Sequence, residues 1–225
     1  MAKHKPPNKY AKLFDKAAGV KLDVGCGIFK QRGCLGMDMV RHPNVDIVHD
    51  IQQFPWPVPD DACTFILLSH VYEHIEPKYR FELLDELWRI CRHDGQLFIA
   101  CPYAGSFLEA AHPAHYMCPN EATFQFFDSD YHLWHACSYK KPLPWKIVKN
   151  DPALGGTIEV IMEPRKDKSG RALAAPDKPV QYGAVRIFER KEPDCLPLMP
   201  ERKNVRRRNE SRRPRKRGSR NVKKV

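Results

Sequence analysis

Two uninterrupted apolar runs, Phe65–Leu68 and Leu97–Cys101, constrain the fold of this chain more than any other feature of its sequence. Strands that are apolar at successive positions are typical of parallel sheets covered on both faces. Between the two runs, apolar residues recur every three or four positions from Phe81 to Cys91, after Pro77 and before Gly95. This spacing predicts an amphipathic helix with proline in its first turn and a left-handed stop at the glycine. Strand, helix and strand in this order predict a parallel α/β sheet.

Five further segments have the composition of strands. They are Val20–Val24, Cys34–Met39, Asn44–Asp50, Thr157–Met162 and Tyr182–Glu189. The last two are predicted to close the sheet as an antiparallel pair joined by the loop 163–178, and a short first helix is predicted at Ile28–Arg32. The predicted fold is therefore Rossmann-like: a seven-stranded, mostly parallel sheet with an antiparallel last strand and helices on both faces.

Charge and composition divide the 225 residues into parts. We predict a basic N-terminal segment at 1–19, a globular domain at 20–191 with an aromatic and histidine-rich insert at 103–141, and a proline-containing, disordered basic tail at 192–225. The whole net charge of +11 lies in residues 201–225, while residues 1–200 are balanced. Any non-specific contact with nucleic acid is therefore expected through residues 202–224 rather than through the domain; a terminus that only increases solubility is the alternative interpretation.

Several classes of protein are excluded by what the sequence contains. No run approaches the roughly 20 apolar residues of a membrane span, and residues 1–7 have no apolar core of a signal peptide. The eight cysteines form no C-x-x-C pair, so buried, reduced thiols and a cytoplasmic location are expected. Cys101 lies in an apolar run, and we interpret it as a core residue rather than a nucleophile.

Glycines and acids follow the first three strands in a nucleotide-binding order. Gly25 and Gly27 permit a tight turn after the first strand. Asp38 ends the second strand and can accept hydrogen bonds from ribose hydroxyls, whereas Asp50, with Ile51, can meet an adenine ring. NAD and FAD are disfavoured, because a dinucleotide fingerprint needs a third glycine where this chain has Lys30, and an acid further on.

These motifs together resemble the class I S-adenosylmethionine-dependent methyltransferases, and within them the methyltransferase type 11 group. The matching runs are Leu22–Gly27, Gly36–Asp38, Asp50–Ile51, Ser69–Ile75, Gly95 and Pro102. The resemblance implies that S-adenosylmethionine is the cofactor. It places Asp23, Gly25 and Gly27 beside the methionine moiety, Asp38 at the ribose, Asp50 and Ile51 at the adenine, and Ser69 and His70 below the sulfonium. The neighbouring Cys26 and Met39 are further predicted cofactor-binding residues.

Candidates for acid–base chemistry follow the fourth strand and lie in the insert. They are His70, Glu73, His74, His115 and Tyr116, and a base is needed only where the acceptor arrives protonated. His112, His115 and Cys118 have a spacing that superficially suits zinc. We predict no metal site there, because no fourth ligand is evident and Pro113 interrupts any helix. A loop that lines the acceptor pocket is the preferred interpretation.

The expected activity is methyl transfer from S-adenosylmethionine to an acceptor that the sequence does not identify. One alternative is a methyltransferase for RNA or ribonucleoprotein, held to its substrate by the basic tail. Another, from a different class, is a catalytically silent module that binds the cofactor or nucleic acid. The enclosed aromatic insert argues against the silent module, which would have no need of such a pocket.

Overall fold

The computed structural model describes residues 8–15, 18–137 and 140–176. The predictions for the strand Tyr182–Glu189 and for the tail 192–225 lie outside these residues. The strands are β1 (Val20–Val24), β2 (Leu35–Asp38), β3 (Ile47–Val48), β4 (Cys63–Ser69), β5 (Cys91–Pro102), β6 (Trp145–Ala153) and β7 (Thr157–Pro164). The helices are α1 (Asn8–Ala11), α2 (Arg80–Ile90), α3 (Phe107–Ala111), α4 (Glu121–Gln125) and α5 (His132–Ala136), with 3₁₀ turns at Lys12–Phe14, Tyr72–His74 and Pro77–Tyr79.

The seven strands form one sheet in the order β3-β2-β1-β4-β5-β7-β6. β1 to β5 pair in parallel, and β7 runs antiparallel to both β5 and β6. Only β7 is therefore reversed, which confirms the predicted mostly parallel sheet with an antiparallel last strand. The chain builds outward from β1 to β3 on one side and from β4 to β5 on the other. Their boundary is the topological switch point, where open α/β sheets bind ligands at the carboxyl ends of the strands.

The core lies around the central strands and α2. The aliphatic side chains of β1, β4, β5 and α2 that are fully buried are Leu22, Val24, Ile66, Leu68, Leu97, Ile99, Leu83, Leu84, Leu87 and Ile90. Each such side chain stabilises the fold by about 1.5–3 kcal/mol through removal from water. The predicted amphipathic helix between the two apolar strands is thus confirmed, and its apolar face belongs to the same core as the strands.

The helix ends earlier than its glycine signal predicts. α2 stops at Ile90 and Cys91 is already extended, so Gly95 lies inside β5 and not at a helix end. A Cβ at Gly95 would lie 2.8 Å from the carbonyl oxygen of Cys63. The glycine is therefore required for close approach of β5 to the start of β4. The prediction that Gly95 ends the helix was wrong for this reason.

Two other local predictions are also corrected. No helix forms at Ile28–Arg32, where the backbone makes turns and the amide of Gln31 donates instead to the Asp23 carboxylate at 2.6 Å. The antiparallel pair at this edge of the sheet is formed by β7 and β6, and the sequence analysis missed β6; the predicted strand Tyr182–Glu189 lies outside the described residues. Because β7 has β5 on one edge and β6 on the other, neither edge is open to a further strand.

The segment before β1 is part of the folded domain. Tyr10, on α1, is buried, and its hydroxyl donates to the carbonyl of Val48 and accepts from the Val48 amide, both at 3.3 Å. Cysteines within the described ranges are all free, as predicted for them; Cys195 lies outside those ranges. Among the described helices, none has both the length and the apolar character needed to cross a membrane.

Candidate cofactor and catalytic site

A cleft of about 220 Å³ opens at the carboxyl ends of β1 to β4. It is lined by Gly25, Asp38, Met39, Asp50, Ile51, Gln52, His70, Val71, His74 and Ile75. Six of the predicted cofactor residues line it, as does His74 from the predicted catalytic set. The structure therefore brings together residues from four separate turns, each of which follows a different strand.

The remaining predicted cofactor residues lie beside the cleft rather than on its wall. Asp23 and Cys26 are buried, Gly27 is half-buried, and Ser69 is exposed at the end of β4. Gln52, Val71 and Ile75 are lining residues that sequence reasoning missed. The available signal was adjacency along the chain to predicted site residues, since Gln52 follows Ile51, Val71 follows His70 and Ile75 follows His74.

The glycine turn is held against the end of β2. Gly25 has a φ of +68°, and its amide donates to the Met37 carbonyl at 2.7 Å. The amide of Gly27 donates to Oδ2 of Asp38 at 2.8 Å, and the Val40 amide donates to Oδ1 at the same distance. These bonds fix the Asp38 carboxylate, yet each oxygen retains a lone pair that can accept a ligand hydroxyl.

Gly25→Ala is expected to damage both stability and the cleft. A Cβ at Gly25 would lie 2.5 Å from Cγ2 of Val71, in addition to the roughly 1–2 kcal/mol cost of a left-handed conformation for a residue with a side chain. Gly33→Ala is the matched control, because Gly33 also has a positive φ, +84°, but has open space around its Cβ position. Denaturant unfolding should show a larger loss of free energy for Gly25→Ala than for Gly33→Ala; equal losses would contradict the packing against Val71.

Below the glycine turn lies a carboxylate that is costly to bury. Asp23 is 4% exposed. Burial is the main cause that raises its pKa; the Gln31 amide and the Lys30 charge act in the opposite direction, and Asp38 adds to the increase. Because two carboxylates lie close together here, this end of the sheet has a negative field that favours a cationic ligand.

The turn after β3 is anchored in the core. Oδ1 of Asp50 accepts from the Gln52 amide at 3.0 Å. The carbonyl of Ile51 accepts from the indole of Trp56 at 3.0 Å, and the Trp56 side chain is fully buried. A second link runs from the Glu76 amide to Oε1 of Gln52, at 3.0 Å. The Asp50–Gln52 wall of the cleft is therefore held by a core residue, Trp56, that does not itself line the cleft.

His70 and Glu73 form a carboxylate–imidazole pair at the end of β4. Nδ1 of His70 lies 3.4 Å from Oε1 of Glu73, with the His70 side chain 52% exposed and that of Glu73 1% exposed. Apart from this contact, neither carboxylate oxygen of Glu73 has a hydrogen-bond partner within the described part of the chain. His70 has a φ of +56°, a conformation that costs a non-glycine residue energy and is often found at functional sites.

The insert brings His115 and Tyr116 next to the turn after β4. His115 has its ring centroid 4.9 Å from that of His74, and the Tyr116 amide donates to the Glu73 carbonyl at 2.9 Å. The Tyr116 side chain is 58% exposed.

Cys101, at the end of β5, is fully buried. Burial raises the pKa of its thiol, which agrees with the predicted core role.

Comparisons with known proteins yield fold neighbours only. No protein-family model matches the sequence, and no curated protein matches it either. An S-adenosylmethionine-dependent methyltransferase from Archaeoglobus fulgidus is 15% identical, with 68% of this chain and 90% of that chain covered and a TM-score of 0.48. A second such enzyme, from Aquifex aeolicus, is 14% identical over 69% and 93%, with a TM-score of 0.45. The antibiotic-resistance methyltransferase Kmr is 17% identical over 73% and 100%, with a TM-score of 0.45. At these values the likeness carries no argument about activity, which must come from the cleft.

Proposed function

We propose that this chain is a class I S-adenosylmethionine-dependent methyltransferase of the type 11 kind, with its cofactor in the switch-point cleft. One observation carries the proposal. The carboxylates of Asp38 and Asp50 line the same cleft as Gly25, and no lysine or arginine stands among the described residues that line it.

The charge of the cleft distinguishes this cofactor from a dinucleotide. S-adenosylmethionine carries a sulfonium and an ammonium group against one carboxylate, so its net charge is positive. A dinucleotide carries a pyrophosphate, which proteins bind with helix N-termini or cations. Here no helix follows the glycine turn, and the nearby charges of Asp23, Asp38 and Asp50 are negative. The donor set therefore fits S-adenosylmethionine and does not fit NAD.

Each part of the cofactor has a residue suited to hold it. The free lone pairs of Asp38 would accept from the ribose hydroxyls, and Asp50 would accept from the adenine amino group, with Ile51 against the ring. The absence of a side chain at Gly25 allows close approach to the backbone. When bound, the cofactor supplies a methyl group on positively charged sulfur, and the protein positions the acceptor and excludes water.

His70 is the residue proposed to take the proton of a protonated acceptor. Its Nδ1 faces the Glu73 carboxylate, which favours a proton on Nδ1 and leaves the lone pair of Nε2 available. Glu73 would act through His70 as a positioning residue. A general base of this kind contributes about 10²- to 10⁴-fold to a proton-transfer step.

The acceptor remains open between two classes, a small molecule or protein on one side and a nucleic acid on the other. The 13 basic residues in 201–225 favour RNA or ribonucleoprotein as the second candidate. A basic segment of this kind would bind phosphates with little sequence preference. This segment lies outside the described residues, so the case for it is its composition alone.

Incubation of the full-length chain with methyl-labelled S-adenosylmethionine and fractionated lysate tests the proposal. We expect label in one fraction: small molecules, protein or RNA. Label in RNA that disappears when the chain is truncated after Pro200 would favour the second candidate. Binding of cofactor without transfer to any fraction would instead support the silent module.

A further inference from the structure

Three imidazoles from two distant parts of the chain meet beside the cleft. His74 lies in the 3₁₀ turn Tyr72–His74 after β4, whereas His112 and His115 lie in the loop that follows α3. One ring nitrogen from each lies within 4.8 Å of the others. The ring centroids of His74 and His112 are 5.2 Å apart, and those of His112 and His115 are 5.3 Å apart.

Backbone carbonyls orient two of the three rings. Nδ1 of His115 lies 3.0 Å from the carbonyl of Glu109, and Nδ1 of His74 lies 3.3 Å from the carbonyl of Ala114. Both contacts favour a proton on Nδ1 and therefore a lone pair on Nε2. A ring N–H given to a carbonyl is the usual outer-shell contact of a metal-binding histidine, because it fixes the tautomer and the orientation of the ring.

The third ring is arranged differently. His112 is exposed, and its Nδ1 accepts from the Ala114 amide at 3.2 Å, an arrangement that uses a lone pair on Nδ1. A metal-binding histidine likewise needs a lone pair on the ligating nitrogen. As a ligand through Nδ1, His112 would exchange the Ala114 hydrogen bond for the metal.

We propose that His74, His112 and His115 bind a divalent transition metal, zinc in the first instance. Zinc–nitrogen bonds of 2.0–2.1 Å in a tetrahedral site separate the nitrogens by about 3.4 Å, so the present cluster needs to contract by about 1.4 Å at most. Imidazole ligands suit zinc, copper, iron and nickel, whereas Mg²⁺ and Ca²⁺ prefer oxygen. Three histidines with an open fourth position are a known donor set of catalytic zinc.

The histidine cluster lies where a bound metal would connect the insert to the cleft. His74 also lines the cleft, and the residue after His115, Tyr116, donates its amide to the Glu73 carbonyl. A metal here would therefore fasten the insert to the turn that carries His70 and Glu73. The inference does not depend on the proposed methyl transfer, because metal binding is measurable without cofactor or acceptor.

Zinc titration of the full-length, tag-free, chelator-treated chain tests the site. We expect one zinc ion per chain by calorimetry and by elemental analysis. His112→Ala should weaken the affinity by more than about 100-fold, since loss of a single outer-shell partner already costs 10- to 100-fold. His132→Ala, which removes an exposed histidine outside the cluster, is the matched control and should bind zinc as the unaltered chain does. Circular dichroism checks that both variants are folded.

Cobalt substitution identifies the ligands. Ligation by imidazoles gives weak visible bands without the intense near-ultraviolet charge-transfer band of a thiolate. The neighbouring Cys118, whose Sγ lies 3.8 Å from Nδ1 of His115, makes this distinction necessary. Failure of the unaltered chain to bind zinc, unchanged binding by His112→Ala, or a strong thiolate band would each overturn the three-histidine site.

Discussion

Glu73→Gln is expected to lower the turnover of methyl transfer by about 10²- to 10⁴-fold, the range that a positioned base contributes. The affinity for S-adenosylmethionine should stay unchanged, because Glu73 does not line the cleft. The physical reason is the contact between Nδ1 of His70 and Oε1 of Glu73. A glutamine can present its amide N–H to Nδ1, which would move the proton to Nε2 and remove the lone pair that the acceptor needs.

Glu73→Gln should make the folded protein more stable even though it lowers turnover. Glu73 buries a carboxylate that has His70 as its sole described partner, and a buried, unsatisfied charged group costs on the order of 1–3 kcal/mol or more. Glu73→Gln should therefore raise the free energy of unfolding while it lowers activity, a trade typical of functional residues. Denaturant unfolding and label transfer measure the two effects.

Two further variants control this experiment. Glu73→Asp retains the carboxylate and should keep more activity than Glu73→Gln. Glu76→Gln alters a nearby glutamate that pairs with Lys78 at the surface and should leave turnover within a few-fold. Equal activity of Glu73→Gln and the unaltered chain, with transfer demonstrated, would remove the His70–Glu73 pair from the mechanism.

Trp56→Ala is expected to cost about 3–5 kcal/mol of unfolding free energy, as for other large core aromatics. Trp56 is fully buried, and its amide donates to Oε1 of Glu86 on α2 at 2.6 Å. The informative variant is the milder Trp56→Phe, which keeps a buried ring but loses the indole N–H to the Ile51 carbonyl. This loss should cost about 1 kcal/mol from the hydrogen bond and should also weaken cofactor binding, because one of the bonds that hold the Asp50–Ile51 turn is removed.

Trp134→Phe is the matched control. Trp134 is also buried, and its indole donates to the Pro142 carbonyl at 3.1 Å, in a part of the chain that does not line the cleft. Both variants should lose similar stability, but only Trp56→Phe should lose cofactor affinity. Equal cofactor affinities in the two variants would show that Trp56 supports the core alone.

The cleft at the carboxyl ends of the strands was predictable because its signals are local. Gly25, Asp38 and Asp50 each follow a strand, and the carboxyl ends of parallel strands meet at one edge of a sheet. Once the strands are recognised, the fold brings these residues together without further information. Two local predictions failed for local reasons. Gly95 does not end a helix, because it is needed where β5 packs closely against β4. Residues 28–32 do not form a helix, because side-chain contacts replace the helical hydrogen bonds.

The histidine cluster could not be predicted in the same way. The sequence contains His112 and His115 close to Cys118, but it shows no fourth metal ligand near them. The third imidazole is that of His74, which reaches the pair only through the packing of the insert on the turn after β4. β6 was missed for a related reason, since its alternation of buried and exposed residues is irregular and its position depends on pairing with β7.

Calorimetric titration with S-adenosylmethionine tests the central claim most directly. The unaltered chain should bind it and should show no comparable affinity for NAD. Asp38→Ala should weaken binding by about 1.5–3 kcal/mol, the value of hydrogen bonds to a charged group, or roughly 10- to 100-fold. Asp38→Asn is the milder variant if loss of the Gly27 and Val40 contacts harms folding, and Asp94→Ala, at a half-exposed carboxylate paired with Arg92, is the control that should bind normally. Unchanged affinity in folded Asp38 variants, or binding of NAD in place of S-adenosylmethionine, would contradict the assignment of this cleft.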